Sequence, residues 1–267
     1  MFTEQFPITI CNMQLMRIEI SPPHRKKSES FVRSLARPGF FSRNGETLHE
    51  GRNTIKRFET DGVRMVVKRY GHLSFFNRLI YGFLRKSKAE RAYRHAARLR
   101  RLGIDTPEEI AFVEIRRRGL LRESYFVSAY SDYLPLQPIT ELYSQTQEAR
   151  AILDALSEFL FRLHWAGVLH KDLNIGNILY KEDVRGGYVF QVIDTNRMEF
   201  RRTLSVRQRL KNLRRLSIPA PAYLYILDRY AGLIRSDANT VQLKGVVFRL
   251  FFEMRQRMKR RVKQMLF

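Results

Sequence analysis

The sequence predicts an α+β chain of two lobes, a small β-rich N-terminal lobe with one key helix and a larger, mainly helical C-terminal lobe. Three observations carry this. A strand, a two-residue turn and a returning strand occupy residues 53–70, and a strongly basic helix follows at 87–102. A polar, proline-bearing stretch at 132–138 then interrupts the chain near its middle. Beyond it, a helix with one apolar face at 146–165 runs directly into a loop dense in His, Asp and Asn. At 267 residues the chain is long enough for two lobes with a substantial core.

Composition bounds the setting. No run approaches the roughly 18 to 20 apolar residues of a spanning helix. The first twenty residues lack the basic start and apolar centre of a signal peptide. The single Cys11 has no internal disulfide partner, so a cytoplasmic protein is expected. Lys and Arg number 49 against 26 Asp and Glu, a formal charge of +23. Such an excess speaks about partners and not about fold; nucleic acid, an anionic membrane leaflet and an acidic substrate are all open to it.

Residues 1–45 mix Pro22 and Pro23 with a basic cluster and a turn-prone Ser-Arg-Asn-Gly, which predicts a loosely organised leader. From Glu46 the pattern changes. Residues 53–58 form a candidate strand, Asp61 and Gly62 a favoured hairpin turn, and VRMVVKRY at 63–70 the returning strand. Alternation sends Val63, Met65 and Val67 to one face and Arg64, Val66 and Lys68 to the other. SKAERAYRHAARLRRL at 87–102 is rich in helix formers and closes at Gly103. Glu90 is the only acid between Asp61 and Asp105. With Ser87 it makes the S-x-x-E frame of a capping box, and as a lone acid in a basic stretch it is also a partner for Lys68. Between strand and helix, GHLSFFNRLIYGFLR mixes aromatic and basic residues, which suits either an interfacial helix on an anionic membrane or an insert packed on the small lobe. Residues 124–131 read as a buried strand entering the linker at 132–138.

The helix at 146–165 gathers Ile152, Leu153, Leu156, Phe159, Leu160 and Leu163 on one side. After it, His170, Asp172 and Asn177 fall in the frame H-x-D-L-x-x-x-N. A short strand at 178–180, a turn and a second strand at 188–193 then deliver Asp194. That order is the layout of a kinase active site. There one Asp accepts the acceptor hydroxyl's proton, and an Asn with a second Asp holds the magnesium that bridges the nucleotide phosphates. Oxygen donors suit magnesium, a hard octahedral ion. The expected catalytic residue is therefore Asp172 and the expected metal ligands are Asn177 and Asp194. Lys68 is expected to grip the phosphates of ATP, with Glu90 holding it. His164 and His170 are expected to brace the structure, and Asn196 and Arg197 are candidates to touch phosphate or an acidic acceptor.

Past Asp194 the chain is basic and helical, at 207–216 and 252–265. From Arg201 onward there are 17 Lys and Arg against 3 Asp and Glu, so more than half of the excess charge sits in the last quarter. Such a surface is attracted to anionic lipid by roughly 1 kcal/mol per basic residue close to the membrane. No recognised nucleic-acid module accompanies these helices.

VVKRY with Lys68, SKAERAYRHAARLRRLGIDTP with Glu90, LHWAGVLHKDLNIGNILY with Asp172 and Asn177, and VIDTNRM with Asp194 together resemble the bacterial lipopolysaccharide kinases that phosphorylate Kdo or heptose in the inner core. The resemblance covers about residues 51–216. It implies a protein-kinase-like bilobal fold, ATP with Mg2+, and a lipid-linked sugar acceptor, lipid A with its inner core, at the cytoplasmic face of the inner membrane. The lobes would be 46–133 and 134–267. Three features depart from the general kinase pattern: no G-x-G-x-x-G precedes Lys68, D-F-G is replaced by Asp194-Thr195-Asn196, and no A-P-E follows. The lack of room for a long activation segment points to a small-molecule or glycolipid acceptor. A protein kinase and a catalytically weak pseudokinase scaffold at the membrane surface are the alternatives.

Overall fold

The computed structural model describes residues 14–71, 86–142 and 144–266. It divides into two compact units. Of the described residues, 14–94 and 109–130 form the first, and 95–108 with 131–266 form the second.

The first unit is a six-stranded antiparallel sheet in the order β1-β5-β6-β4-β3-β2, built from β1 (Gln14–Ile20), β2 (Glu46–Glu50), β3 (Asn53–Thr60), β4 (Val63–Tyr70), β5 (Glu109–Arg117) and β6 (Leu120–Ala129). The β3–β4 turn is Asp61-Gly62, with φ of 49° and 71°, the left-handed pair that twists a two-residue hairpin correctly. Arg118-Gly119, at 51° and 76°, closes β5–β6 in the same way. Met65 and Val67 on β4 face the core beside Val113, Tyr125 and Val127.

Residues 14–45 are not a loose leader. Strand β1 pairs with β5 along its whole length, and Pro22 and Pro23 open the 3-10 turn that leads into helix α1 (Arg25–Ser34). Proline is tolerated in a first turn because its missing N–H has no partner there anyway. Phe31, Val32, Leu35 and Phe41, the last on the short α2 (Phe40–Arg43), are buried, and the Phe31 ring lies 5.0 Å from that of Phe58. A stripe of apolar residues beneath an exposed basic face was masked by the local charge. Residues 1–13 lie outside the described residues, as do 72–85, the greater part of the expected interfacial helix or insert.

Helix α3 (Lys88–Arg101) contributes its first half to the first unit and its second half to the other. The second unit is mainly helical. The stretch expected as a linker enters it as the short β7 (Leu134–Pro135), which pairs with β9 (Ile178–Glu182), itself paired with β10 (Tyr188–Val192). Helix α4 (Gln137–Leu142) follows. Helix α5 (Gln147–Trp165) starts at Thr146, whose side chain accepts from the Ala149 N–H at 3.0 Å, and buries the predicted stripe from Ile152 to Leu163. Strands β8 (Val168–His170) and β11 (Met198–Phe200) pair, and helices α6 (Val206–Leu213), α7 (Ala220–Leu233) and α8 (Ala238–Leu266) complete the unit. The basic segment expected at 252–265 is the outer part of α8, a single helix of 29 residues. No described helix is long and apolar enough to cross a membrane.

Candidate active site

In the second unit the loop after β8 is shaped by hydrogen bonds between its own neighbours. The Asp172 N–H donates to His170 Nδ1 at 3.1 Å, and the Asp172 carbonyl accepts from Asn177 Nδ2 at 2.9 Å. Spending Nδ2 on the backbone leaves the Asn177 Oδ1 as the acceptor end of that side chain. The Asn177 carbonyl in turn accepts from the Ile193 N–H at 3.0 Å, one residue before Asp194. Three predicted residues are thus brought onto segments tied to one another.

Asp194 stands in the left-handed region, φ 57° and ψ 48°, an excursion that Asp tolerates better than most residues. It opens the turn at 195–197, and its carboxylate accepts from the Asn196 amide. The Thr195 carbonyl accepts from His95 Nδ1 at 2.7 Å, so the second half of α3 braces the residue after Asp194. Arg197 brings a guanidinium nitrogen to 3.6 Å from Asp172 Oδ2. Its carbonyl accepts from the Lys171 N–H at 2.8 Å.

Both histidines act as buried props. His170 Nε2 donates to the Ile193 carbonyl at 2.9 Å, and burial lowers its pKa despite the neighbouring carboxylates. Asn212 Nδ2 donates to the His170 carbonyl at 2.7 Å, so Asn212 Oδ1 is left to accept from His164 Nε2 at 3.2 Å. His164 Nδ1 then accepts from the Tyr230 hydroxyl at 2.8 Å. Full burial pushes the His164 pKa down to about 4, which keeps the ring neutral in this chain of partners. Asn212 was missed in the sequence, although it is the one uncharged polar residue within the run RLKNLRRL.

In the first unit, Lys68 lies on β4 with its ammonium 5.4 Å from the Tyr70 ring. The Glu90 carboxylate is taken by Arg17, at 2.9 and 3.2 Å, and by Arg94, at 2.9 Å, with Lys86 at 3.9 Å. Burial pushes its pKa up, and the hydrogen bonds from Arg94 and Arg17 outweigh this and hold it below the ordinary range. Ser87 Oγ accepts from the Glu90 N–H at 3.0 Å, so the capping serine of the S-x-x-E frame is in place. Two guanidinium groups thus occupy the carboxylate that the sequence offered to Lys68. Arg17 had no signal, because it lies 73 residues away on a strand hidden in the expected leader. The β2–β3 connection is only Gly51-Arg52, too short for the glycine-rich cover of the general kinase pattern.

A model of the lipopolysaccharide kinase (Kdo/WaaP) family matches residues 41–222. The chain belongs to that family. It is therefore a phosphotransferase acting on a sugar hydroxyl, as lipopolysaccharide kinases are. The kinase also resembles a solved structure described as WaaP in complex with acyl carrier protein, at 19% identity and a TM-score of 0.59 over 90% of this chain and 97% of that one. At that identity the likeness bears on the fold, and it agrees with a two-lobed kinase. No curated protein matches the sequence.

The donor set fits the cofactor a kinase implies. Among the described residues no group of three or more His, Cys, Asp and Glu is placed to hold a metal ion by itself. One carboxylate and one amide oxygen is instead the sparse protein contribution that magnesium takes when phosphates supply further ligands.

Proposed function

We propose that this kinase transfers the γ-phosphoryl group of ATP to a hydroxyl of Kdo or heptose in the lipopolysaccharide inner core. ATP with Mg2+ supplies the phosphoryl group and the charge that neutralises it. Asp172 orients the sugar hydroxyl and accepts its proton, while Asn177 Oδ1 and the Asp194 carboxylate hold magnesium. Lys68 grips the phosphates, and Glu90, fixed by Arg17 and Arg94, shapes the charge around it. Arg197, 3.6 Å from Asp172, stands ready to meet an anionic acceptor. The observation that carries this reading is the pair of bonds from Asn177 Nδ2 to the Asp172 carbonyl and from the Ile193 N–H to the Asn177 carbonyl.

We place the enzyme peripherally on the cytoplasmic face of the inner membrane. Supporting this, α8 exposes Leu243, Leu250, Phe251, Met254, Met258 and Val262 along one side, with Arg257 and Arg261 among them. An apolar stripe edged by arginine suits the boundary of an anionic leaflet.

The test is product identification. Wild-type protein, Asp172→Ala and Asp194→Ala are incubated with labelled Mg-ATP and purified lipid A carrying its inner core, and mass spectrometry locates the new phosphate. Phosphate on one inner-core sugar, lost in both variants, is expected and decides between Kdo and heptose. Phosphate on protein alone, or no binding of ATP, overturns the reading in favour of a protein kinase or a scaffold.

A further inference from the structure

The second unit holds a groove of about 430 Å³ between α6 with its following turn and the outer half of α8. Its walls bring together Arg207, Lys211, Arg214, Arg215, Arg255 and Lys259. None of these six cations pairs with a carboxylate among the described residues, and Glu253, the acid of α8, is spent on Arg249 at 2.8 Å. Arg214 Nε is buried without a hydrogen-bond partner.

Aromatic rings hold these cations in place without neutralising them. The Phe252 ring has the guanidinium groups of Arg214 and Arg215 each 5.1 Å from its centre, and Phe248 has the Lys211 ammonium at 5.6 Å. Burial lowers the pKa of Arg214, and the charges of Arg215 and Arg255 lower it further. Like charges crowded in a half-buried groove repel one another, and an anion with several acceptor oxygens relieves that repulsion while filling the open donors.

Arg215 also links the charge of the groove to that of the candidate base. The charge of Asp172 and that of Arg197 both act on Arg215, and Arg197 itself lies 3.6 Å from Asp172. One run of charge therefore leads from the groove to the atom assigned to take the acceptor proton.

We propose that this groove binds a phosphate group carried by the acceptor glycolipid, anchoring its phosphorylated end while a sugar hydroxyl meets Asp172. This rests on the reading of Asp172 as the base. A phospholipid headgroup presents the same chemistry. The acceptor is favoured because the groove is concave, contains an unpartnered buried guanidinium nitrogen and is electrically continuous with Asp172.

The test uses a soluble probe, the fully deacylated lipid A backbone bearing inner-core sugars, with its phosphates and after their enzymatic removal. Binding is measured by calorimetry to wild type, to Arg255→Gln/Lys259→Gln, which alters only exposed side chains, and to Arg214→Gln/Arg215→Gln. Each double variant is expected to lose at least about tenfold in affinity for the phosphorylated probe. The dephosphorylated probe is expected to bind wild type and variants equally weakly. In turnover, Arg255→Gln/Lys259→Gln is expected to raise the KM for acceptor by the same factor, with kcat and the KM for ATP within about twofold. Unchanged affinity in both variants overturns the proposal. So does loss of binding to phosphatidylglycerol vesicles with probe affinity retained, which would make the groove a membrane contact. Because binding is read without turnover, a wild type that binds phosphate-dependently but transfers nothing contradicts the proposed function and supports the groove.

Discussion

Asp172 and Glu90 are acids assigned to one reaction, and they are held in opposite ways. The partners of Asp172 lie close in sequence: His170 two residues before it, Asn177 five residues after it and Arg197 beyond the next hairpin. Glu90 takes one arginine from its own helix and the other from β1, 73 residues earlier. The contacts of Asp172 itself are drawn from its own loop and the hairpin after it, whereas the first unit's acid depends on a strand that must arrive from far along the chain. Damage to distant contacts should therefore fall on the two regions unequally.

The largest effect expected is on chemistry. Asp194→Ala and Asn177→Ala should each lower kcat on the order of a hundredfold to a thousandfold, by the scale of lost transition-state charge stabilisation. Steady-state kinetics checks this, with thermal melting of Asn177→Ala close to wild type because that amide donates to neighbouring backbone.

Next is the prop beneath the loop. His164 has a folded pKa of about 4 against an ordinary 6.5, so it is neutral in both states above pH 6.5 and its stabilising contribution is complete there. As pH falls through that window the unfolded state binds the proton first, and about 3 kcal/mol is lost by pH 4. Urea melts across pH 4 to 7 should show a shallower slope for His164→Gln than for wild type. An identical slope would remove the histidine from the account.

A smaller effect separates the two regions. Arg17→Gln should cost about 1 to 2 kcal/mol by removing a charge-assisted pair from a buried carboxylate. Amide exchange should quicken in β1 and at the head of α3, while the loop around Asp172 keeps its protection. The smallest effect expected is about 1 kcal/mol from Thr146→Ala, the N-cap of α5, read as a modest fall in melting temperature without a change in KM.

What the sequence carried openly was what repeats at short range. Asp61-Gly62 announced the β3–β4 hairpin, the apolar stripe announced α5, and the frame from His170 to Asn177 announced the loop, because each is decided by residues within a turn or two. What stayed hidden depends on contacts between distant segments. Proline and charge at 22–27 disguised α1, whose burial is visible only once β1 has paired with β5. Glu90 was noticed for its isolation, yet its partner on β1 has no sequence mark. Asn212 looked like one polar residue in a basic helix and proved to join both histidines.

The most direct test of the central claim, that Asp172 is the base of a lipopolysaccharide kinase, is single-turnover phosphoryl transfer from Mg-ATP to lipid A with its inner core, wild type beside Asp172→Asn. A loss of about a hundredfold to ten-thousandfold in rate is expected, with ATP affinity unchanged. Transfer by Asp172→Asn at a rate within a few-fold of wild type would contradict it.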